Sequence, residues 1–95
     1  MSTVYYWRGE FEDKDGQIYR GRVFWDKEVP SVIAAELRVY GSNHVLWQDV
    51  EVDRQGRRDV ADAVRVLKAK TIKAALKNKL TLVEEKDVEY AGVRS

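Results

Sequence analysis

A group of arginine and aromatic residues near the start of the chain is the set best suited to bind a partner. Its members are Tyr6, Arg8, Arg20, Arg22 and Phe24. They are predicted to share one face of a β-hairpin, with Arg8 directly opposite Arg22, and like charges in that position destabilise a sheet. Arginine and aromatic side chains are enriched at protein-binding hot spots, and they also stack on single-stranded bases. We therefore predict a partner-binding patch on this face.

Two structural explanations compete with a binding role for the patch. A carboxylate such as Glu36 or Glu51 could lie between the two arginines, or a helix could cover the face. Glu10, which is predicted opposite Arg20, forms an ordinary cross-strand ion pair worth a few tenths of a kcal/mol. The pair of arginines at Arg8 and Arg22 has no such partner in the predicted hairpin.

A second basic group lies on a predicted helix. From Arg65 to Lys79 the chain has six basic residues and no acidic one. Lys70, Lys73 and Lys77 fall on one helical face. The helix dipole explains basic residues only in the last turn, whereas a longer basic face suits phosphate groups or an acidic protein surface. Arg65, Lys70, Lys73 and Lys77 are therefore candidate contacts for such a ligand, with an ordinary solvated surface as the alternative.

Residues that could perform catalysis are few. The chain has no cysteine, one histidine (His44, beside a predicted turn) and no glycine-rich phosphate loop. Asp49, Glu51 and Asp53 alternate along a predicted strand and could do acid–base work or hold Mg²⁺. A solvated outer face is the simpler interpretation. We predict a non-enzymatic protein with no catalytic residue, cofactor or metal site, and keep a metal-dependent enzyme using these acids as a minor alternative.

The hairpin that would position the patch is predicted over residues 3–12 and 17–26. Its link ends in Asp15-Gly16, which suits a type I turn followed by glycine in the left-handed region and pairs Asp13 with Gln17. One face then carries Phe11 opposite Tyr19, Gly9 opposite Gly21, Trp7 opposite Val23, and Tyr5 opposite Trp25. The other face carries Glu10 opposite Arg20, Arg8 opposite Arg22, and Tyr6 opposite Phe24.

The remaining elements follow from composition and periodicity. Residues 32–40 fit either a strand or a helix, and we favour a strand because Gly41-Ser42-Asn43 would turn the chain into another strand over 45–53. A long helix is predicted over about residues 59–79, with Asp59 as its cap, and residues 81–84 could form a short closing strand. The fold class is α+β, with an antiparallel sheet of three to four strands packed on that helix. Which sheet face the helix covers stays open.

Length and composition place limits on the whole protein. Ninety-five residues indicate one domain, here residues 1–83, followed by an acidic tail at 84–95 that is expected to be mobile. Seventeen basic and sixteen acidic residues leave a net charge of +1, whereas a dedicated duplex-DNA binder usually has a larger basic excess. The absence of cysteine, of a signal peptide and of a long apolar stretch predicts a cytoplasmic protein without membrane contact.

These observations predict a small protein-binding domain, either an adaptor or an inhibitor of the kind encoded by phages and mobile elements. It would act sterically, by docking the arginine and aromatic face of the hairpin on a partner. The alternative is a nucleic-acid-binding protein. In that case Lys70, Lys73 and Lys77 would contact phosphates, and Tyr6 and Phe24 would stack on bases. Free sheet edges would also allow a homodimer.

Overall fold

One five-stranded antiparallel sheet and one helix make up the described part of the chain. The computed structural model describes residues 3–26, 32–52 and 60–87. Its elements are β1 (Thr3–Glu12), β2 (Ile18–Asp26), β3 (Val32–Val39), β4 (Val45–Val52), α1 (Val60–Lys77) and β5 (Thr81–Asp87). The strand order is β4-β3-β2-β1-β5. The predicted α+β class is confirmed, with five strands in place of the three to four expected.

The turn of the first hairpin forms from short-range hydrogen bonds. The backbone N–H of Asp13 donates to the Gln17 carbonyl, and that of Gly16 to the Asp13 carbonyl, both at 3.1 Å. Gly16 has a φ of 85°, in the left-handed region that glycine adopts without strain. The Asp13 side chain accepts two more backbone hydrogen bonds, from Asp15 and Gln17, at 2.9 Å each. The predicted register is confirmed from Trp7 to Phe11.

On the N-terminal side of Trp7 the predicted register is wrong, because a β-bulge lies between Tyr5 and Trp7. Tyr5 is opposite Phe24, where Tyr6 was expected, and Val4 takes the expected place of Tyr5 opposite Trp25. A bulge inserts one extra residue into a strand and re-aims the side chains beyond it. Tyr6 is only 4% exposed and belongs to the core, so it is not available on the patch for which it was predicted.

The second half of the sheet begins with β3, which settles residues 32–39 as a strand. On β4, Trp47, Asp49 and Glu51 lie opposite the buried residues Leu37, Ala35 and Ile33. The acidic side of β4 therefore faces the helix. The helix supplies a partner for it, since Lys70 Nζ lies 3.2 Å from Asp49 Oδ2 and 3.7 Å from Glu51 Oε2.

Helix α1 carries the chain from one edge of the sheet to the other. Its 18 residues span about 27 Å, more than the ~19 Å width of five hydrogen-bonded strands. It ends in a Schellman motif: Lys79, with a φ of 63°, donates to Leu76 O, and Leu80 N–H donates to Ala75 O, both at 2.9 Å. The predicted cap Asp59 lies outside the described residues. Within the described ranges, no helix is long and apolar enough to cross a membrane.

The core lies between α1 and one face of the sheet. The fully buried side chains from strands and helix include Trp7, Phe11, Val23, Leu37, Leu67 and Thr71. Gly9 and Gly21, opposite each other, make this packing fit. A Cβ on Gly9 would lie 2.7 Å from the Trp7 ring, and one on Gly21 would lie 2.9 Å from the Thr71 methyl group. The glycines leave the space that the Trp7 ring and the helix occupy.

Strand β5 is longer than the closing strand predicted over residues 81–84. Residues 84–87 belong to the sheet, so the expectation of a mobile tail is wrong for these four residues. Residues 88–95 lie outside the described part. The Trp7 indole N–H donates to Glu85 Oε1 at 3.0 Å, and Lys68 Nζ lies 3.5 Å from the same oxygen. The indole hydrogen bond chiefly lowers the pKa of Glu85, against the effect of desolvation, and Lys68 lowers it further. This cluster joins β5 to the core.

Candidate functional site

The face of the sheet opposite α1 carries a concentration of arginine and aromatic side chains. Because Trp7, Gly9 and Phe11 point toward the helix, Arg8 between them points to the other side. The same alternation applies on the neighbouring strands. We define the arginine face by six residues: Tyr5, Arg8, Arg20, Arg22, Phe24 and Arg38. No helix in the described ranges covers it.

Side chains of like charge are directly opposite each other at several points on this side of the sheet. Arg8 lies between Arg22 on β2 and Lys86 on β5. Arg20 is opposite Arg38 on β3. Glu10 is opposite Glu84 in the same way, so the clash is not confined to basic residues. Each such pair disfavours the folded sheet.

Glu36 partly relieves the clash from the β3 side. Arg22 Nε donates to Glu36 Oε2 at 2.6 Å, and Arg38 Nη2 donates to Glu36 Oε1 at 3.2 Å. Glu36 is only 7% exposed, so a buried carboxylate is shared by two guanidinium groups. Glu36 therefore neutralises Arg22, but it does so from β3 and does not lie between Arg8 and Arg22 as expected. Arg38 Nε also lies 3.0 Å from Glu36 Oε2 as part of the ion pair, although this buried nitrogen forms no hydrogen bond.

The bulge supplies the face with Tyr5. Arg22 Nη1 donates to the Tyr5 hydroxyl at 2.9 Å. The guanidinium carbons of Arg8 and Arg22 lie 5.3 and 5.4 Å from the centre of the Tyr5 ring, within cation–π distance. Phe24 is also 5.2 Å from the Arg22 guanidinium. The aromatic pair of the patch is thus Tyr5 and Phe24, with Tyr5 in the place predicted for Tyr6.

Arg8 and Arg20 differ in how far they are engaged. The Arg20 guanidinium pairs with Glu10 at 3.2 Å and lies 4.5 Å from the centre of the Tyr40 ring. Arg8 is exposed and forms no ion pair with any residue of the described ranges. Its guanidinium lies over the Tyr5 ring. Of the four arginines on the arginine face, Arg8 is therefore the most available to a ligand.

The predicted basic helix face is only partly available. Lys70 is engaged by Asp49 and Glu51, and Arg65 pairs with Asp62 in the preceding turn. Lys73 and Lys77 are exposed and line a groove of about 510 Å³ between α1 and β4. Since α1 lies on the far side of the sheet from the arginine face, the two predicted basic groups do not form one surface.

The acidic residues considered for catalysis have structural contacts. Asp49 and Glu51 both face Lys70, and Asp53 lies outside the described residues. Over 3–26, 32–52 and 60–87, no three histidine, cysteine or acidic side chains are grouped as a metal site would need. His44 is an exposed residue before β4.

Sequence reasoning found some members of this face and missed others. If residues 32–40 form a strand, alternation sends Glu36, Arg38 and Tyr40 to one side, so the signal for them was present. Their proximity to Arg20 and Arg22 depends on the pairing of β2 with β3, which the sequence did not specify. Tyr5 had no detectable signal, since a bulge moves it there.

No protein-family model, curated protein or solved structure matches the chain. The geometry of the described residues is therefore the whole basis for assigning a function.

Proposed function

We propose that this chain is a small protein-binding domain that docks its arginine face on an acidic region of a partner protein. The observation that supports this most is the placement of basic residues opposite one another, Arg8 with Arg22 and Lys86, and Arg20 with Arg38. Alternating charges at these positions would stabilise the sheet. Carboxylates brought by a partner would turn the same repulsion into favourable contacts.

The mixture of side chains on this face favours a protein over a polyanion. Glu10, Glu36 and Glu84 lie among the basic residues, so the positive charge is interrupted. A nucleic acid is bound mainly through continuous positive charge along its phosphates. Tyr5 and Phe24, with ring centres 6.1 Å apart, add apolar contact area next to Arg8 and Arg22. Tyrosine and arginine together are typical of protein-binding hot spots.

The nucleic-acid alternative loses support in the form predicted. Tyr6 is buried and Lys70 is engaged by acids of β4, so two of its five expected contacts are used inside the molecule. The remaining lysines and Phe24 lie on opposite sides of the sheet. A single strand would have to pass around a sheet edge to reach both groups. A steric adaptor or inhibitor needs only the arginine face.

The test compares partners captured by the full chain and by Arg8→Met. Arg8 is chosen because it holds no carboxylate of the described residues, whereas removal of Arg22 would leave Glu36 with Arg38 alone. Lys73→Met is the control, since it removes the same charge from the opposite side of the molecule. Lysate from the protein's own host cells would be treated with nuclease before capture.

We expect one or more proteins to be retained by the wild type and by Lys73→Met, with affinity about tenfold lower for Arg8→Met, as for a lost charge-assisted contact. Equal retention by Arg8→Met, or no captured protein, would count against the proposal. A partner that disappears only after nuclease treatment would point to nucleic acid instead.

A further inference from the structure

We infer that the corner of the arginine face next to the β3–β4 turn binds a carboxylate group of the partner. This inference rests on the proposed function, because it specifies the chemistry that the arginine face recognises. Arg20, Arg22, Arg38 and the turn at residues 40–43 line a pocket of about 310 Å³. It has room for one acidic side chain or a chain terminus. We call it the corner pocket.

The corner pocket has donors that the protein does not use. A guanidinium has five N–H donors, and the contact of Arg20 with Glu10 uses only one of them. Arg38 lines the pocket as well, but its Nε and Nη2 both lie against Glu36 and the Nε is buried, so that edge is not open to a ligand. Planar guanidinium groups bind a carboxylate through two parallel hydrogen bonds, so the free edge of Arg20 suits this ligand.

The arginines of the corner pocket are held in position before a ligand arrives. The Tyr40 ring lies against the Arg20 guanidinium at 4.5 Å while Glu10 holds its Nη2 atom. Glu36 holds both Arg22 and Arg38. Side chains that are already ordered lose less conformational entropy when they bind. The carboxylates of Glu10 and Glu36 therefore orient the arginines as well as neutralise part of their charge.

The charge of the cluster matches one carboxylate better than one phosphate. Arg20, Arg22 and Arg38 carry three positive charges, and their partners Glu10 and Glu36 carry two negative charges. One positive charge remains, equal and opposite to that of one carboxylate. A phosphate monoester carries about −1.5 to −2 at neutral pH and would leave an excess of negative charge on the bound state.

The test is a nuclear magnetic resonance titration of the ¹⁵N-labelled full chain at constant ionic strength. The probes are N-acetyl-glutamate amide for an acidic side chain, N-acetyl-glycine for a chain terminus, N-acetyl-glutamine amide as the neutral match, and inorganic phosphate. The signals to follow are the Nε–H group of Arg20 and the backbone amides of residues 41–43. We expect saturable shifts with at least one carboxylate probe, none with the neutral match, and weaker binding of phosphate.

Two variants make the result specific. Arg20→Met should lower the affinity for the carboxylate probe about tenfold or more, because it removes the least engaged hydrogen-bond donors of the pocket. Its ion-pair partner Glu10 is partly exposed, so the fold should persist, as the amide spectrum would show. Lys73→Met, on the far side of the sheet, should leave the affinity unchanged.

Three results would overturn the inference: no saturable shift with either carboxylate probe, tighter binding of phosphate, or equal affinity in Arg20→Met. Each is distinguishable from failure of the proposed function. If protein capture still depends on Arg8 while the corner pocket gives no response, the docking face stands and only the carboxylate assignment is lost.

Discussion

The sheet face under α1 and the arginine face opposite it are stabilised by different interactions. On the covered face, Trp7, Phe11 and Leu37 are almost fully buried, and Gly9 and Gly21 leave just enough space for this packing. On the arginine face most charged side chains remain partly in water, where an ion pair contributes only about 0–1 kcal/mol. On the covered face, the free energy of unfolding should therefore depend mainly on the volume of the side chains packed under the helix. On the arginine face, it should depend on a charged side chain only where that side chain is buried.

The largest effect is expected for Gly21→Ala, which adds a methyl group between the sheet and helix α1. The new Cβ would lie 2.9 Å from the Thr71 methyl carbon and 3.1 Å from the Phe11 ring. Overpacking of this kind costs about 1–3 kcal/mol, and two contacts this short put the expected loss in the upper part of that range. Urea denaturation followed by tryptophan fluorescence would measure the loss.

A second substitution shows whether that loss comes from contact with the helix. Thr71→Ser removes the methyl carbon nearest to the new Cβ and keeps the hydroxyl that donates to Leu67 O. In a double-mutant cycle, Thr71→Ser should recover part of the stability lost in Gly21→Ala, with a coupling of about 1 kcal/mol. Strict additivity would mean that the helix is not what limits the space at Gly21.

The next largest effect is expected for Glu36→Gln on the arginine face. The substitution leaves Arg22 and Arg38 beside a neutral amide, and neither pairs with another carboxylate of the described residues. Breaking a fully buried pair costs about 3–5 kcal/mol, and the partial exposure of both arginines reduces this to about 2 kcal/mol. Glu10→Gln is the matched control, because its pair with Arg20 is exposed and should contribute under about 0.5 kcal/mol. Equal losses in the two variants would contradict the distinction between buried and exposed charges.

A smaller effect is expected from the titration of Glu85 at the edge of the covered face. Its pKa is lower in the folded than in the unfolded chain, chiefly because of the hydrogen bond from Trp7. The stabilisation it brings is present above the unfolded pKa, near 4.5, and is lost as the pH falls through the folded value. Unfolding curves from pH 6 to 3 should show a steeper loss of stability for the wild type than for Glu85→Gln. Parallel curves would mean that groups other than Glu85 cause the loss of stability in acid.

The smallest effect on stability is expected for Arg8→Met, the same substitution that should disrupt partner binding. It removes repulsion with Arg22 and Lys86 and also loses a cation–π contact with Tyr5 worth about 0.5–1 kcal/mol. The two changes offset each other, so the free energy of unfolding should stay within about 0.5 kcal/mol of the wild type. Arg22→Met should cost clearly more, because it removes a partner of buried Glu36. A large loss in Arg8→Met would mean that Arg8 has a structural role.

The sequence alone was sufficient where the controlling interactions are local. The hairpin turn forms from contacts of Asp13 with residues up to Gln17, and these set the register as far as Trp7. The alternation of residues 32–39 was enough to favour a strand, and the basic and apolar pattern from 60 to 77 was enough to predict a helix. The opposition of Arg8 and Arg22 followed from the same local register.

Only the tertiary structure decided which side chains face the core and which face outward. The bulge at Tyr5 has no local signal: it lets the neighbours Tyr6 and Trp7 both enter the core, and it moves Tyr5 next to Arg22. Asp49 and Glu51 face inward because of the pairing of β4 with β3, and Lys70 contacts them there from α1, about twenty positions away in the sequence. Strand β5 extends to Asp87 by pairing with β1, at the other end of the chain. Such interactions depend on the completed packing, which a linear pattern of residues does not contain.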